Sequence, residues 1–350
     1  MKEQWNEKKR LALVNVIYLA TIVLINAAGL LPTDWLRGSA VLQILYSQLL
    51  LALPSAYYLW KTKTPYREAV CLHKMKISNV LLTVLFCLLI QPLLTLINGL
   101  SMVFSVNTTS SFMLELTEQV PWYLGLCVTA LVPAILEESI YRGIFYQEYR
   151  KINPWKAAVF SGLLFGLVHG NLNQFCYAFV MGVIFALLLE ATGSILSTMI
   201  VHFMINAGSV LTLYLLPKAY EMLQQMHQLA LQQGQTEVAN TLAYAMGSDF
   251  SMDASEWLHS VMSAGTGELT LGAVLATYAP QAVLFSVLAF LVLRKIARRS
   301  GNWEKLCGMV RGEGSRQESF LTIPMMLALA IGVVILFMYE TMMRIPGALG

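Results

Sequence analysis

Residues 121–147 read PWYLGLCVTALVPAILEESIYRGIFYQ, an apolar stretch that nonetheless carries Glu137, Glu138 and Arg142. A bilayer core calls for about 20 apolar residues per helix, so the stretch is long enough to cross. Each charge inside it costs at least about 2.5–3.5 kcal/mol on insertion scales. The rest of the chain has the same character. Of 350 residues, 57% are hydrophobic and 12% charged, with a mean hydropathy of +0.62; a soluble domain carries about 25% charged residues. A soluble fold of this size cannot hide that much apolar surface. The composition therefore predicts an all-α, polytopic helical membrane bundle, and disfavours nucleic-acid binding, a secreted disulfide scaffold and disorder.

Working outward from 121–147, further spans are expected near 11–31, 40–60, 77–104, 155–170, 174–191, 194–216, 277–297 and 319–343, nine in all. Those at 155–170 and 174–191 are short. The first follows a basic segment, Met1–Arg10, is too long for a signal-peptide core and has no A-x-A-like site after it, so it reads as a retained anchor. With the N-terminus in the cytoplasm and strict alternation, nineteen Lys and Arg face the cytoplasm and three (Arg37, Lys218, Arg344) face the other side. The remaining one, Arg142, lies within a span. That asymmetry is the positive-inside pattern of a multi-pass protein of the cell membrane. Trp35, Trp60, Trp122 and Trp155 fall at span ends, where interfacial anchors belong. The five cysteines fall in spans or cytoplasmic loops, so no disulfide framework is expected.

The chain divides into N-terminal transmembrane helices (1–119), a core (120–216), a polar insert (217–276) and C-terminal transmembrane helices (277–350). The insert carries one Lys and six acidic residues and is Gln-rich over Met222–Gln235. Asp253 and Glu256 mark a helix start. Two amphipathic helices on the external face are expected there, a flexible loop being the alternative. Asn107-Thr-Thr matches a glycosylation acceptor, of consequence only in a eukaryotic secretory pathway.

Three polar clusters sit inside spans. In the first, Glu138 and Arg142 are four residues apart and share a helix face, whereas Glu137 projects about 100° away and has no local partner. The second is Phe165-xxx-His169, and the third His202-xxx-Asn206, whose two polar side chains lie on one face. Glu137 and His169 are each twelve residues from their cytoplasmic span ends, about 18 Å at 1.5 Å per residue; His202 and Asn206 lie about 12 and 18 Å in. Three helices thus bring these residues to nearly one level. A carboxylate beside a neutral imidazole can hold a water and take its proton. A second imidazole and a carboxamide can donate to an oxyanion. Hydrolysis follows, with Glu137 as general base and His169 helping to hold the water.

The ordered set Glu137-Glu138-xxx-Arg142, Phe165-xxx-His169 and His202-xxx-Asn206 resembles the EExxxR, FxxxH and HxxxN motifs of the CPBP family. That family comprises CAAX proteases and bacteriocin-processing enzymes (the Abi domain), including the type II CAAX prenyl endopeptidases. The resemblance covers about residues 120–216. It implies an intramembrane endopeptidase in which Glu137 and His169 activate water, His202 and Asn206 form the oxyanion site, and Glu138 and Arg142 support the cluster. The implied partners are the bilayer and a membrane-associated peptide or protein, such as a CAAX-type C-terminus or a leader peptide. No cofactor is expected. Zinc on Glu137, His169 and His202 is the alternative, although no HExxH stands in the chain. Two other readings stay open on the residues alone: a transporter using the buried Glu/Arg cluster as a proton relay, and a non-catalytic membrane scaffold.

Overall fold

In a computed structural model, residues 6–28, 38–107, 109–247, 250–264, 270–313 and 319–345 are described, and they form helices without a strand. The expected anchors Trp35 and Arg37, and Thr108 of the glycosylation acceptor, lie outside the described residues. Among the described residues, eight helices are long and apolar enough to cross a membrane. They are α1 (Glu7–Ala28), α2 (Ala40–Thr62), α3 (Ile77–Met102), α5 (Trp122–Tyr149), α7 (Leu172–Thr192), α8 (Leu196–Gln232), α11 (Leu271–Arg299) and α13 (Ile323–Met343). Shorter elements include a single turn at Tyr66–Ala69 and the helices α4 (Thr109–Gln119), α6 (Pro154–Leu167), α9 (Thr236–Met246), α10 (Ala254–Ala264) and α12 (Trp303–Arg311). Apolar side chains of α11 and α13, such as Val283, Leu284, Phe337 and Met338, stay exposed and form a lipid-facing belt.

The expected ninth span is α6, and it is short. Its 14 residues extend about 21 Å against a hydrocarbon core of about 30 Å. Local chemistry sets both ends. Asn153 caps the start by accepting the Lys156 N–H at 2.8 Å, with Pro154 in the first turn. Beyond Leu167 the chain reverses at Gly170, whose φ of +69° suits glycine. Asn171 then caps α7 by accepting the Gln174 N–H.

The α6–α7 hairpin is held by small residues. A Cβ on Gly182 would stand 2.5 Å from the Gly162 Cα and 3.4 Å from Arg142 Nη2. Backbones in lipid approach this closely only where glycine permits, and the same crossing makes room for the guanidinium. Gly182→Val is therefore expected to destabilise the protein by about 1–3 kcal/mol or more. Thermal unfolding in detergent checks this, with Gly272→Ala, whose Cβ would meet nothing within 4 Å, as the control that should melt like wild type.

Interhelical hydrogen bonds tie the ends of the chain to this core. Tyr18 donates to the Leu164 carbonyl at 2.9 Å, and Tyr149 donates to Asn15 Oδ1 at 2.7 Å. The Asn15 amide in turn donates to the Phe320 carbonyl and Thr322 Oγ1. α1, α5, α6 and the start of α13 are thereby joined by groups that have no water to turn to in lipid.

The insert is helical. α8 runs unbroken through Pro217 to Gln232, 37 residues or about 56 Å, so it projects well past the hydrocarbon. α9 and α10 are the two expected amphipathic helices, and Asp253 caps α10 by accepting the Glu256 N–H at 2.8 Å. Tyr220 stacks on Trp257 at 4.5 Å and meets Phe250 at 5.3 Å, which gives the insert its own small core. All five cysteines are free; burial of the loop between α2 and α3 pushes the Cys71 thiol up.

Candidate active site

The site is built on an irregular helix. α5 contains two π segments, Cys127–Leu131 and Ser139–Phe145, and Glu137 and Glu138 close the α-helical stretch between them. Such π turns frequently mark functional sites. Part of the cause is visible in the sequence. Pro133 has no N–H to give to the Thr129 carbonyl one turn back, so that acceptor is left over. Asn206 of α8 fills it, its amide donating to the Thr129 carbonyl at 3.0 Å. One of the two N–H groups of Asn206 is thus committed to joining α8 to α5, and the other remains for chemistry. The π segment 139–145 also changes the depth count. Its wider turn advances less per residue than an α-helix, so Glu137 lies shallower than twelve α-helical steps from Tyr149.

His202 faces both carboxylates. Its Nδ1 is 2.9 Å from Glu138 Oε1, and its Nε2 is 3.8 Å from Glu137 Oε2. A carboxylate accepts, so Nδ1 carries the hydrogen of the shorter contact, and Nε2 is the edge turned toward Glu137. His202 is 3% exposed and Glu137 12%. Glu138 and Arg142 are fully buried, with Arg142 Nε 3.3 Å from Glu138 Oε2, in the i,i+4 relation the sequence predicts. That contact is too poorly aligned for a hydrogen bond, and none of the guanidinium nitrogens has a hydrogen-bond partner. The cation instead lies over the Phe165 ring at 4.3 Å and the Phe185 ring at 5.1 Å. Cation–π attraction of this kind is worth about 2 kcal/mol or more when desolvated.

Phe165 is the hub. Besides the guanidinium, its ring meets the His169 ring at 5.1 Å, the His202 ring at 6.0 Å and the Tyr141 ring at 5.1 Å. His169 stands just past the last residue of α6, and its Nδ1 is 2.8 Å from the Phe165 carbonyl. A carbonyl can only accept, so Nδ1 bears the hydrogen and Nε2 keeps its lone pair. Glu137 and His202 both lie within electrostatic reach of this imidazole. Arg142, His169 and His202 are thereby gathered around one aromatic ring, with Glu137 and Glu138 joined to it through His202, and Asn206 follows His202 by one turn.

Glu137 is not without a partner, as its isolation on α5 would suggest. Gln48 of α2 donates from Nε2 to Glu137 Oε1 at 2.8 Å. The sequence signal for Gln48 is weak: it is one of two amides, with Gln43, in the apolar span 40–60, with no motif around it. Phe185, the second face on the guanidinium, carries no polar signal at all. As for a metal, no group of three His, Cys, Asp or Glu side chains among the described residues is arranged to share an ion. His202 Nδ1 is taken by Glu138, which leaves Nε2 as the ring nitrogen turned to the rest of the site.

Residues 119–208 match the family model described as type II CAAX prenyl endopeptidase Rce1-like. A protein of Bacillus subtilis (strain 168) named "Putative membrane peptidase YdiL" is 34% identical over 108 residues, which is 31% of this chain and 43% of that relative. The chain thus spans less than half the length of the curated relative it matches. No solved structure matches it. The matched stretch holds Glu137, Glu138, Arg142, His169, His202 and Asn206, so over residues 119–208 the chain is similar to the Rce1-like, type II CAAX prenyl endopeptidase family.

Proposed function

We propose that the chain is an integral membrane endopeptidase that hydrolyses peptide bonds of membrane-associated substrates with a water activated by Glu137. The observation that carries the reading is the facing pair of Glu137 Oε2 and His202 Nε2, 3.8 Å apart, with Glu138 fixing the far edge of the imidazole. A water lying beside this pair is within reach of both the carboxylate and the imidazole. Glu137 Oε2 takes the proton of the water as its oxygen adds to the carbonyl carbon. His169, with Nε2 free, accepts the second hydrogen of that water and orients it. The developing oxyanion receives the uncommitted N–H of Asn206 and, from a protonated His202, the Nε2–H. Collapse of the adduct breaks the C–N bond, and Glu137 returns its proton to the leaving amine. Glu138 and Arg142 act through His202, by holding its ring.

The substrates we propose are CAAX-type C-termini or leader peptides, reached from the cytoplasmic half of the cell membrane with the N-terminus in the cytoplasm. The charge asymmetry along the chain supports that orientation. We further propose that the reaction uses no metal, in keeping with the donor geometry. The test is cleavage by the purified full chain in liposomes. Two internally quenched peptides serve as probes, one ending in a farnesylated CAAX sequence and one spanning a leader junction. Cleavage of at least one, at a rate unchanged by a chelator, is expected. Loss of activity with chelator and its return with zinc would overturn the metal-free mechanism. Failure to cut either peptide, with the protein folded, would count against the activity itself.

A further inference from the structure

We propose that Gln48, on α2 and outside the family-matched stretch, is a positioning residue of the hydrolytic site, holding one oxygen of Glu137 so that the other alone is presented to water. This rests on the peptidase reading above. Gln48 is 9% exposed. Its Nε2–H donates to Glu137 Oε1 at 2.8 Å, while Glu137 Oε2 is the oxygen turned toward His202. A carboxylate can only accept, so the amide nitrogen is necessarily the atom in contact, and the amide oxygen is directed elsewhere. That oxygen is buried and has no hydrogen-bond partner.

An apolar span has little reason to carry a glutamine, and a buried acceptor without a partner costs about 1–3 kcal/mol. Gln48 commits its donor to Glu137 Oε1, which leaves Oε2 as the one carboxylate oxygen presented to the attacking water. Unlike the other groups of the site, it comes from the N-terminal helices, 89 residues from Glu137. The core at 119–208 is on this view incomplete without α2.

The test uses the full chain and the quenched peptide that wild type cleaves. Gln48→Met keeps the length and apolar bulk of the side chain and removes both polar atoms. It is expected to lower kcat about tenfold with KM unchanged and to cause no further loss when combined with Glu137→Gln. In the infrared spectrum, the carboxylate band that disappears in Glu137→Gln is expected to shift in Gln48→Met, independently of turnover. An unchanged kcat together with an unshifted band would overturn the role of Gln48 alone. An equal loss in the Glu137→Gln background, or a rise in KM without a fall in kcat, would make Gln48 a packing residue. If wild type cleaves neither peptide, the peptidase reading falls and takes this role with it.

Discussion

Glu137→Gln is expected to lower turnover by about 10³-fold, within the range general-base catalysis supplies, while the protein stays folded. The substitution is isosteric and still accepts at Oε1, but an amide cannot take a proton from water at neutral pH. Only 12% exposed and facing His202 Nε2 across 3.8 Å, Glu137 is the carboxylate free to do this work. Glu138, fully buried between His202 and Arg142, is not. The two adjacent acids therefore separate by experiment. Glu138→Gln disturbs the His202 ring and slows the reaction by less than Glu137→Gln. Steady-state kinetics on the cleaved peptide, with melting temperature in parallel, checks both. Equal effects from the two variants would contradict the division of roles.

Arg142→Met is expected to be the most destabilising single change in the core. It removes the cation from a 0% exposed pair and leaves Glu138 buried without it. Breaking a buried ion pair from one side costs about 3–5 kcal/mol, and the contacts with Phe165 and Phe185 are lost as well. Removing both charges behaves differently. Glu138→Gln with Arg142→Met leaves no uncompensated ion and is expected to recover most of the stability without recovering activity, because the ring of His202 loses its anionic anchor. Thermal unfolding in detergent of the two single variants and the double variant reads the cycle. An Arg142→Met protein that melts with wild type would show that the pair is not structural.

What could be read from the amino acids was the set of costly polar groups and their approximate level. Glu137, Glu138, Arg142, His169, His202 and Asn206 are conspicuous because lipid makes them so, and periodicity pairs Glu138 with Arg142. The level was read with a single α-helical rise, and the π segment over Ser139–Phe145 breaks that assumption. α6 counted as a span because its residues are apolar, yet Asn153 and Gly170 leave it at 14 residues. The pairing of Asn206 with the Thr129 carbonyl was encoded indirectly, in Pro133, which leaves that carbonyl without its helical donor. The pairing of Gln48 with Glu137 was not encoded locally at all. It joins helices 89 residues apart, and such contacts follow from tertiary packing, on which helical periodicity is silent.

The most direct measurement is a single turnover in H₂¹⁸O, with enzyme in excess over the peptide and the products read by mass spectrometry. If Glu137 activates a water that attacks the amide directly, the new C-terminal carboxyl carries one ¹⁸O in that first turnover, and the tryptic fragment containing Glu137 stays unlabelled. Unlabelled product together with ¹⁸O in the Glu137 fragment would instead mean that the carboxylate itself attacks, and would contradict the activated-water mechanism.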